Sequence, residues 1–277
     1  MTEDTQKLEA DTTLVVGGTG KTGRRVVARL NARGLPVQVG SRSGEPPFDW
    51  NDRNTWEPAL EGIGAVYVTY QPDLAFPGAA ETVAAFSELA VRCGVHRLVL
   101  LSGRGEEGAL AGEDAVRNAG ADWTIVRASW FNQNFSENLL LESVLRGEIV
   151  LPAGDVAEPF VDADDIADVV VAALTDGRHA GQTYEVTGPR LLTFDDVAIE
   201  IGKATGRDVR YVPVTMEQYI TLLQENGQPT EIVELFAQVL DGRNAHLSDG
   251  VRRALGREAK DFGDYARDTA ATGVWAV

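Results

Sequence analysis

The chain has a single cysteine, Cys93, and only three histidines. One thiol excludes an internal disulfide framework and suits a reducing compartment. His96, His179 and His246 show no metal-ligand spacing, so no metal site is expected. Basic residues are also scarce. The 25 Lys and Arg stand against 42 Asp and Glu, a formal net charge of -17. A nucleic-acid binder needs a basic surface to displace counterions, and docking on anionic lipid needs one too, so neither partner is expected. Apolar runs are short: stretches such as "IADVVVAAL" (166–174) fall far below the ~20 residues that span a bilayer. The opening "MTEDTQKLEADT" lacks the basic n-region and apolar core of a signal peptide. Residues 1–12 are expected to form a flexible terminus, and the protein to be cytoplasmic.

What is present is an ordinary globular composition, 44% hydrophobic and 24% charged over 277 residues. The first half alternates strand-like and helix-like pieces. "TLVVG" (13–17), "LPVQVGS" (35–41), "AVYVTY" (65–70), "HRLVLLSG" (96–103) and "DWTIVRA" (122–128) read as strands. Helical periodicity falls between them at 21–33, 78–93 and 113–119, each closed by a glycine. This alternation predicts right-handed βαβ crossovers and a mostly parallel sheet with helices on both faces. Later pieces, "GEIVLP", "QTYEVTG" and "DVRYVPV", add strands, and the chain after Thr215 turns mainly helical.

The glycines of "VVGGTGKTGRR" satisfy two spacings, Gly17-x-x-Gly20-x-x-Gly23 and Gly18-x-Gly20-x-x-Gly23. They leave a strand and open a helix, the setting in which this pattern holds a pyrophosphate. Gly17 or Gly18 allows the tight turn, Gly20 lets the backbone approach phosphate, and Gly23 lets the helix pack on the strand. Helix-terminal N–H groups attract the anion, with Thr19, Lys21 and Thr22 in the loop and Arg24 adding positive potential. A glycine-rich turn without a ligand is the competing reading; a Walker loop is a worse fit because the Gly-Lys-Thr comes too soon. Some 20 residues on, an NAD site usually places an acid on the ribose. Here Ser41, Arg42 and Ser43 stand there, suited to a 2′-phosphate, so NADP is favoured. The alternative is that Arg42 is a solvated cation and Glu45 takes the ribose. Asp49 and Trp50 are candidates to flank the adenine, with Trp50 equally readable as core.

The fold expected is therefore α/β, a Rossmann doubly wound parallel sheet with a smaller, mainly helical C-terminal substrate lobe. The dinucleotide-binding domain is placed at 13–155. Residues 156–277 are expected to complete the sheet and form the lobe.

In their order, "VVGGTGKTGRRVVARL", "SRSG", "FDWNDRNTWEPAL", "LVLLSGRG", "GADWTIVRASWFNQNF", "PFVDADDIADVVVAAL" and "TYEVTGPRLLTFDDVA" resemble the NmrA-like family. This is an atypical branch of the short-chain dehydrogenase/reductase superfamily. It includes NADPH-dependent quinone and azo-dye reductases, triphenylmethane-dye reductase and a redox-sensing transcriptional regulator. The resemblance runs from about residue 13 to the C-terminus and implies fold and NADP(H) rather than substrate. Ordinary superfamily members use a Tyr-x-x-x-Lys pair for proton transfer. The lysines here, Lys7, Lys21, Lys203 and Lys260, never follow a tyrosine at that spacing. Ala109 stands where family members often carry a lysine.

Ligands in such sheets lie beyond the carboxyl ends of the strands. Those ends carry Thr69 and Tyr70, then Ser102 and Arg104, then Ala128 to Phe131. Tyr70 and Ser102 are candidates to bond the nicotinamide ribose or the substrate oxygen, and Arg104 to offset negative charge on a reduced acceptor. Trp130, Phe131, Asn134 and Phe135 suggest an aromatic, amide-edged pocket for a flat small molecule. Core packing for the aromatics and a turn role for Ser102 are the competing readings. The acidic run "DADDIAD" reads as a helix capped by Asp162 or Asp164, with Asp165 and Asp168 on its solvated first turns. The expected function is a reductase passing hydride from NADPH to a quinone, azo compound, imine or similar conjugated acceptor. A non-catalytic NADP(H) sensor is the alternative, a sugar-nucleotide epimerase is disfavoured by the missing pair, and a homodimer is possible.

Overall fold

A computed structural model describes residues 11–137, 140–228, 230 and 232–277. Residues 1–10 of the expected flexible terminus lie outside them. The first strand already begins at Thr12, one residue earlier than expected. In chain order the elements of the first half are β1 (Thr12–Val16), α1 (Gly23–Ala32), β2 (Val37–Gly40), α2 (Trp56–Leu60), β3 (Ile63–Val68), α3 (Ala79–Arg92), β4 (Arg97–Gly103), α4 (Leu110–Arg117) and β5 (Asp122–Ala128). The second half holds α5 (Leu141–Arg146), β6 (Glu148–Leu151), β7 (Ala157–Glu158), α6 (Ala163–Thr175), β8 (Gln182–Val186), β9 (Leu192–Thr193), α7 (Phe194–Thr205) and β10 (Arg210–Pro213). It ends with α8 (Met216–Glu225), α9 (Ile232–Val239), α10 (Gly250–Leu255) and α11 (Phe262–Ala271).

Six strands pair in the order β2-β1-β3-β4-β5-β8, every pair parallel. The inner strands β1, β3 and β4 are mostly buried on both faces, which is why they read as apolar runs. Alternate residues still go to opposite sides. Leu14, Val16, Val66, Val68, Leu98 and Leu100 pack under α3 and α4. Val15, Ala65, Tyr67, Val99 and Val126 pack under α1 and α6. The chain turns from β1 to β2 on one side and returns to β3 on the other. That opens a crevice beyond the carboxyl ends of β1 and β3, the switch point where doubly wound sheets hold ligands.

The remaining elements pack a third core around Phe135, Phe160, Phe194, Phe262 and Trp275. β6 pairs with β10, and β7 with β9. Helix starts here are chemically explicit: Thr193 with Asp196 and Thr215 with Gln218 form reciprocal capping boxes on α7 and α8. The Asp162 carboxylate accepts from the Asp164 amide and caps α6. Asp165 corrects the expectation of a solvated first turn. It is buried, and its carboxylate is held by Arg257 and the Lys260 amide. None of the described helices is long and apolar enough to cross a membrane.

Candidate active site

The glycine loop is shaped by contacts that leave no room for β-carbons. Gly17 has φ +67°, and a β-carbon there would lie 2.5 Å from Thr69 Oγ1. A β-carbon on Gly23 would overlap the Gly17 carbonyl and lie 2.8 Å from Gly18 Cα, so α1 packs directly on the loop. Gly20 differs: its outer side is open, with only the Gly17 carbonyl oxygen near, at 3.2 Å. Thr19 and Gly20 are exposed. Among the described residues, the amides of Thr19, Lys21 and Thr22 have no hydrogen-bond acceptor. Free amides at the start of a ten-residue helix, beside an open glycine, fit a pyrophosphate. Thr22 itself is buried and its hydroxyl accepts from Tyr67 Oη at 3.0 Å, so its side chain braces the loop from below.

At the end of β2, Arg42 is exposed and makes no ion pair among the described residues. Ser41 and Ser43 face each other, Oγ to Oγ at 3.5 Å. Trp50 donates from Nε1 to the Thr69 carbonyl at 3.0 Å and lies 5.1 Å from the Tyr70 ring. It also belongs to a cluster with Phe48, Trp56 and Phe86, so it packs as core while bordering the crevice. Asp49, half-buried beside it, has its own loop contacts. Its carboxylate accepts from the Asn51 amide and its carbonyl from Trp56 Nε1, which fixes the loop.

Next to this loop lies a cavity of about 360 Å³. Its walls include Lys21, Thr69 and Tyr70 on one side, Ser102 to Arg104 at the end of β4, Trp130, Phe131 and Asn134 after β5, and Leu235, Phe236 and Val239 of α9. The size is that of a small-molecule site. Lys21 bridges loop and cavity: its ammonium donates to Asn134 Oδ1 at 2.6 Å, and burial pulls its pKa below the usual lysine value. Trp130 stands against Phe194 and Phe236, at 5.4 and 5.2 Å between rings.

Phe135 lies away from the expected site, while Ser102 and Arg104 line the cavity but are held by other groups. Phe135 is fully buried in the third core among Phe160, Phe194 and Phe262, away from the cavity. The Ser102 hydroxyl donates to Glu113 Oε1 at 2.7 Å. Glu113 is itself clamped by Arg127 and Arg117, so its negative charge draws the Ser102 proton away from the cavity. Arg104 is a buried wall residue: Nε donates to Glu185 at 3.1 Å and Nη1 to the Asn244 carbonyl at 2.9 Å.

The cavity also contains carboxyls that sequence reasoning missed: Asp73, Glu106 and Glu158. Asp73 and Glu106 follow β3 and β4 by a few residues, so their position at strand ends was a usable signal. Glu158, on the two-residue β7, and Asn244, after α9, had none. Burial with little compensation pushes the Glu158 carboxyl up to about 7, against the pull of Arg104. Glu158 Oε1, Arg104 Nη2 and Trp130 Nε1 are all buried without a partner among the described residues, and all three residues line the cavity. Orphaned polar atoms converging on one space mark a place for a polar ligand or water.

A doubly wound parallel sheet with a glycine loop at its switch point and a small-molecule cavity beside it defines a dinucleotide-fold protein. The model of the NmrA-like family matches residues 112–266. The chain is 33% identical to the NAD(P)H azoreductase of Xenophilus azovorans, across 93% of this chain and 98% of that one. It is 31% identical to the agroclavine dehydrogenase of Claviceps fusiformis, across 96% and 99%. The triphenylmethane reductase of Citrobacter sp., solved with NADP(H), superposes with a TM-score of 0.73 at 20% identity, covering 93% of this chain and 99% of that one. The protein belongs to the NmrA-like family.

Proposed function

We propose that this protein is an NADPH-dependent reductase acting on a small conjugated acceptor such as a quinone, azo compound or imine. The observation that carries the reading is the junction at Lys21: the phosphate-type loop opens directly into an aromatic-walled cavity. The azoreductase and the dehydrogenase, relatives aligned over nearly their whole length, support it. Bound NADPH supplies the hydride. The chain's own part is positional. The free amides of Thr19, Lys21 and Thr22 hold the pyrophosphate, and Arg42 with Ser41 holds the 2′-phosphate. Trp130, Phe131 and Phe236 give a flat acceptor an aromatic wall and exclude water, which strengthens every charge interaction inside. Tyr70 and Arg104 would bond its polar edge, a role supported by their position on the cavity wall and by the unpartnered Arg104 Nη2. None of these steps draws on a tyrosine–lysine pair.

The test follows NADPH absorbance on addition of quinones, azo dyes and imines. Consumption with at least one acceptor is expected. A flat trace across the whole panel with NADPH still bound would instead identify a sensor.

A further inference from the structure

The reading above leaves the reaction without a proton source. A quinone or azo group that accepts hydride gains two electrons and one proton from it, and needs a second proton to become neutral. Ser102 is committed to Glu113, and no lysine follows a tyrosine at relay spacing. The cavity offers something else. Asp73, after β3, and Glu106, after β4, bring their carboxyls within hydrogen-bonding reach of each other on its wall. Their position is built into the backbone. A β-carbon on Gly103 would overlap the Glu106 carboxyl, so the glycine that ends β4 is what lets that carboxyl fold back over the strand end. Asp73 Oδ1 accepts from the Ala75 amide at 2.8 Å, which favours the charge on Asp73 and the shared proton on Glu106.

We infer that Glu106, hydrogen-bonded to ionised Asp73, is the proton donor for the reduced acceptor. This rests on the reductase reading. The acceptor takes hydride from the reduced dinucleotide at one end of its conjugated system. Its far oxygen or nitrogen takes the proton from the Glu106 carboxyl. The dinucleotide is left oxidised and Glu106 ionised, and Glu106, only half-buried, recovers a proton from water. Burial and the neighbouring Asp73 charge push the Glu106 carboxyl up to about 8, which keeps it protonated at neutral pH. The other charged or titratable groups bordering it are Lys21, Arg104 and Glu158 in the cavity, and Glu107, Arg127, Glu185, Asp241, Arg243 and His246 on the outer side. The orphaned Arg104 Nη2, Glu158 Oε1 and Trp130 Nε1 independently mark this cavity as one that receives a polar group. The substrate class thereby narrows to acceptors whose reduction consumes a proton.

The experiment compares Glu106→Gln with wild type on two acceptors, a quinone and a cationic triarylmethane dye. The dye is neutralised by hydride alone and needs no proton. The variant is expected to lose at least about tenfold more kcat on the quinone than on the dye. Wild-type kcat on the quinone should fall above about pH 8, and the quinone-to-dye ratio should fall with it. A second readout needs no turnover: in a Glu158→Gln background, which removes the other carboxyl raised to about 7, the infrared carbonyl band of a protonated carboxyl should persist at pH 7, bleach as pH rises through about 8, and be missing once Glu106→Gln is added. An equal loss on both acceptors, an undiminished quinone rate, or a band unchanged by the substitution overturns the assignment. If wild type reduces neither acceptor, the reductase reading itself fails, a result distinct from turnover that ignores Glu106.

Discussion

Lys21 and Asn134, 113 residues apart in sequence, meet at 2.6 Å and tie the glycine loop to the segment after β5. The ammonium is partly desolvated there, and the amide oxygen is its neutral partner. Asn134→Leu removes that acceptor and leaves a buried charge without a partner. A loss of about 1–3 kcal/mol in unfolding free energy is expected. Lys21→Met on top of Asn134→Leu should recover most of it, because the stranded charge is then gone. Denaturant titration of the single and double variants checks this.

Arg42→Ala should separate the two dinucleotides. A charged hydrogen bond is worth roughly 1.5–3 kcal/mol, which corresponds to about ten- to hundredfold in affinity. NADPH binding should weaken by that factor while NADH binding stays near its starting value. Titrating each dinucleotide by fluorescence measures both, and an equal loss for the two removes the 2′-phosphate assignment.

Gly20 and Gly23 should fail in different ways. Gly23→Ala drives a methyl group into the Gly17 carbonyl and Gly18 Cα. Overpacking of this kind costs about 1–3 kcal/mol or more, so the melting temperature should drop. Gly20→Val projects into the open side of the loop, so it should melt near wild type yet lose dinucleotide binding. Thermal melts with and without NADPH distinguish the two.

Glu158 gives a pH signature. Its folded pKa, about 7, lies above the ordinary value of 4.5, so the folded chain holds a proton that the unfolded chain has released. Stability from this group is full below about 4.5 and declines as pH rises towards about 7. Glu158→Gln carries no such penalty. It should match wild type in acid and exceed it at pH 8, by at most about 3 kcal/mol. Denaturation midpoints across the range test the direction, and a Gln variant less stable than wild type at pH 8 contradicts it.

The parallel sheet was legible because its inner strands β1, β3 and β4 are short, mostly buried apolar runs, and α1, α3 and α4 are each followed within a few residues by glycine. The glycine loop was legible because three glycines at fixed spacing serve one geometry. The cavity was legible only where it borrows from strand ends, as at Tyr70 and Phe131. Phe135 was misread because its helical turn points back into the third core, an orientation the composition of "SWFNQNF" does not encode. Ser102 reaches the cavity wall, but its bond to Glu113 was not legible because that partner sits on the next helix. The wall formed by Glu158, Phe236 and Asn244 comes from segments up to 86 residues apart, brought together only by tertiary packing.

The outer edge of β5 is covered by β8, which the ribosome makes 54 residues after β5 ends. Until then a growing chain presents β5 with a row of unpaired N–H and C=O groups, an open template for another strand. Arg104 and Arg127 also wait for Glu185, which arrives on that same late strand. A fragment ending before Gln182 would keep its nucleotide loop but expose this edge. Its fate in a cell would be set by how quickly the edge is shielded, so synthesis order, and not only final stability, decides how much of this protein reaches its folded state.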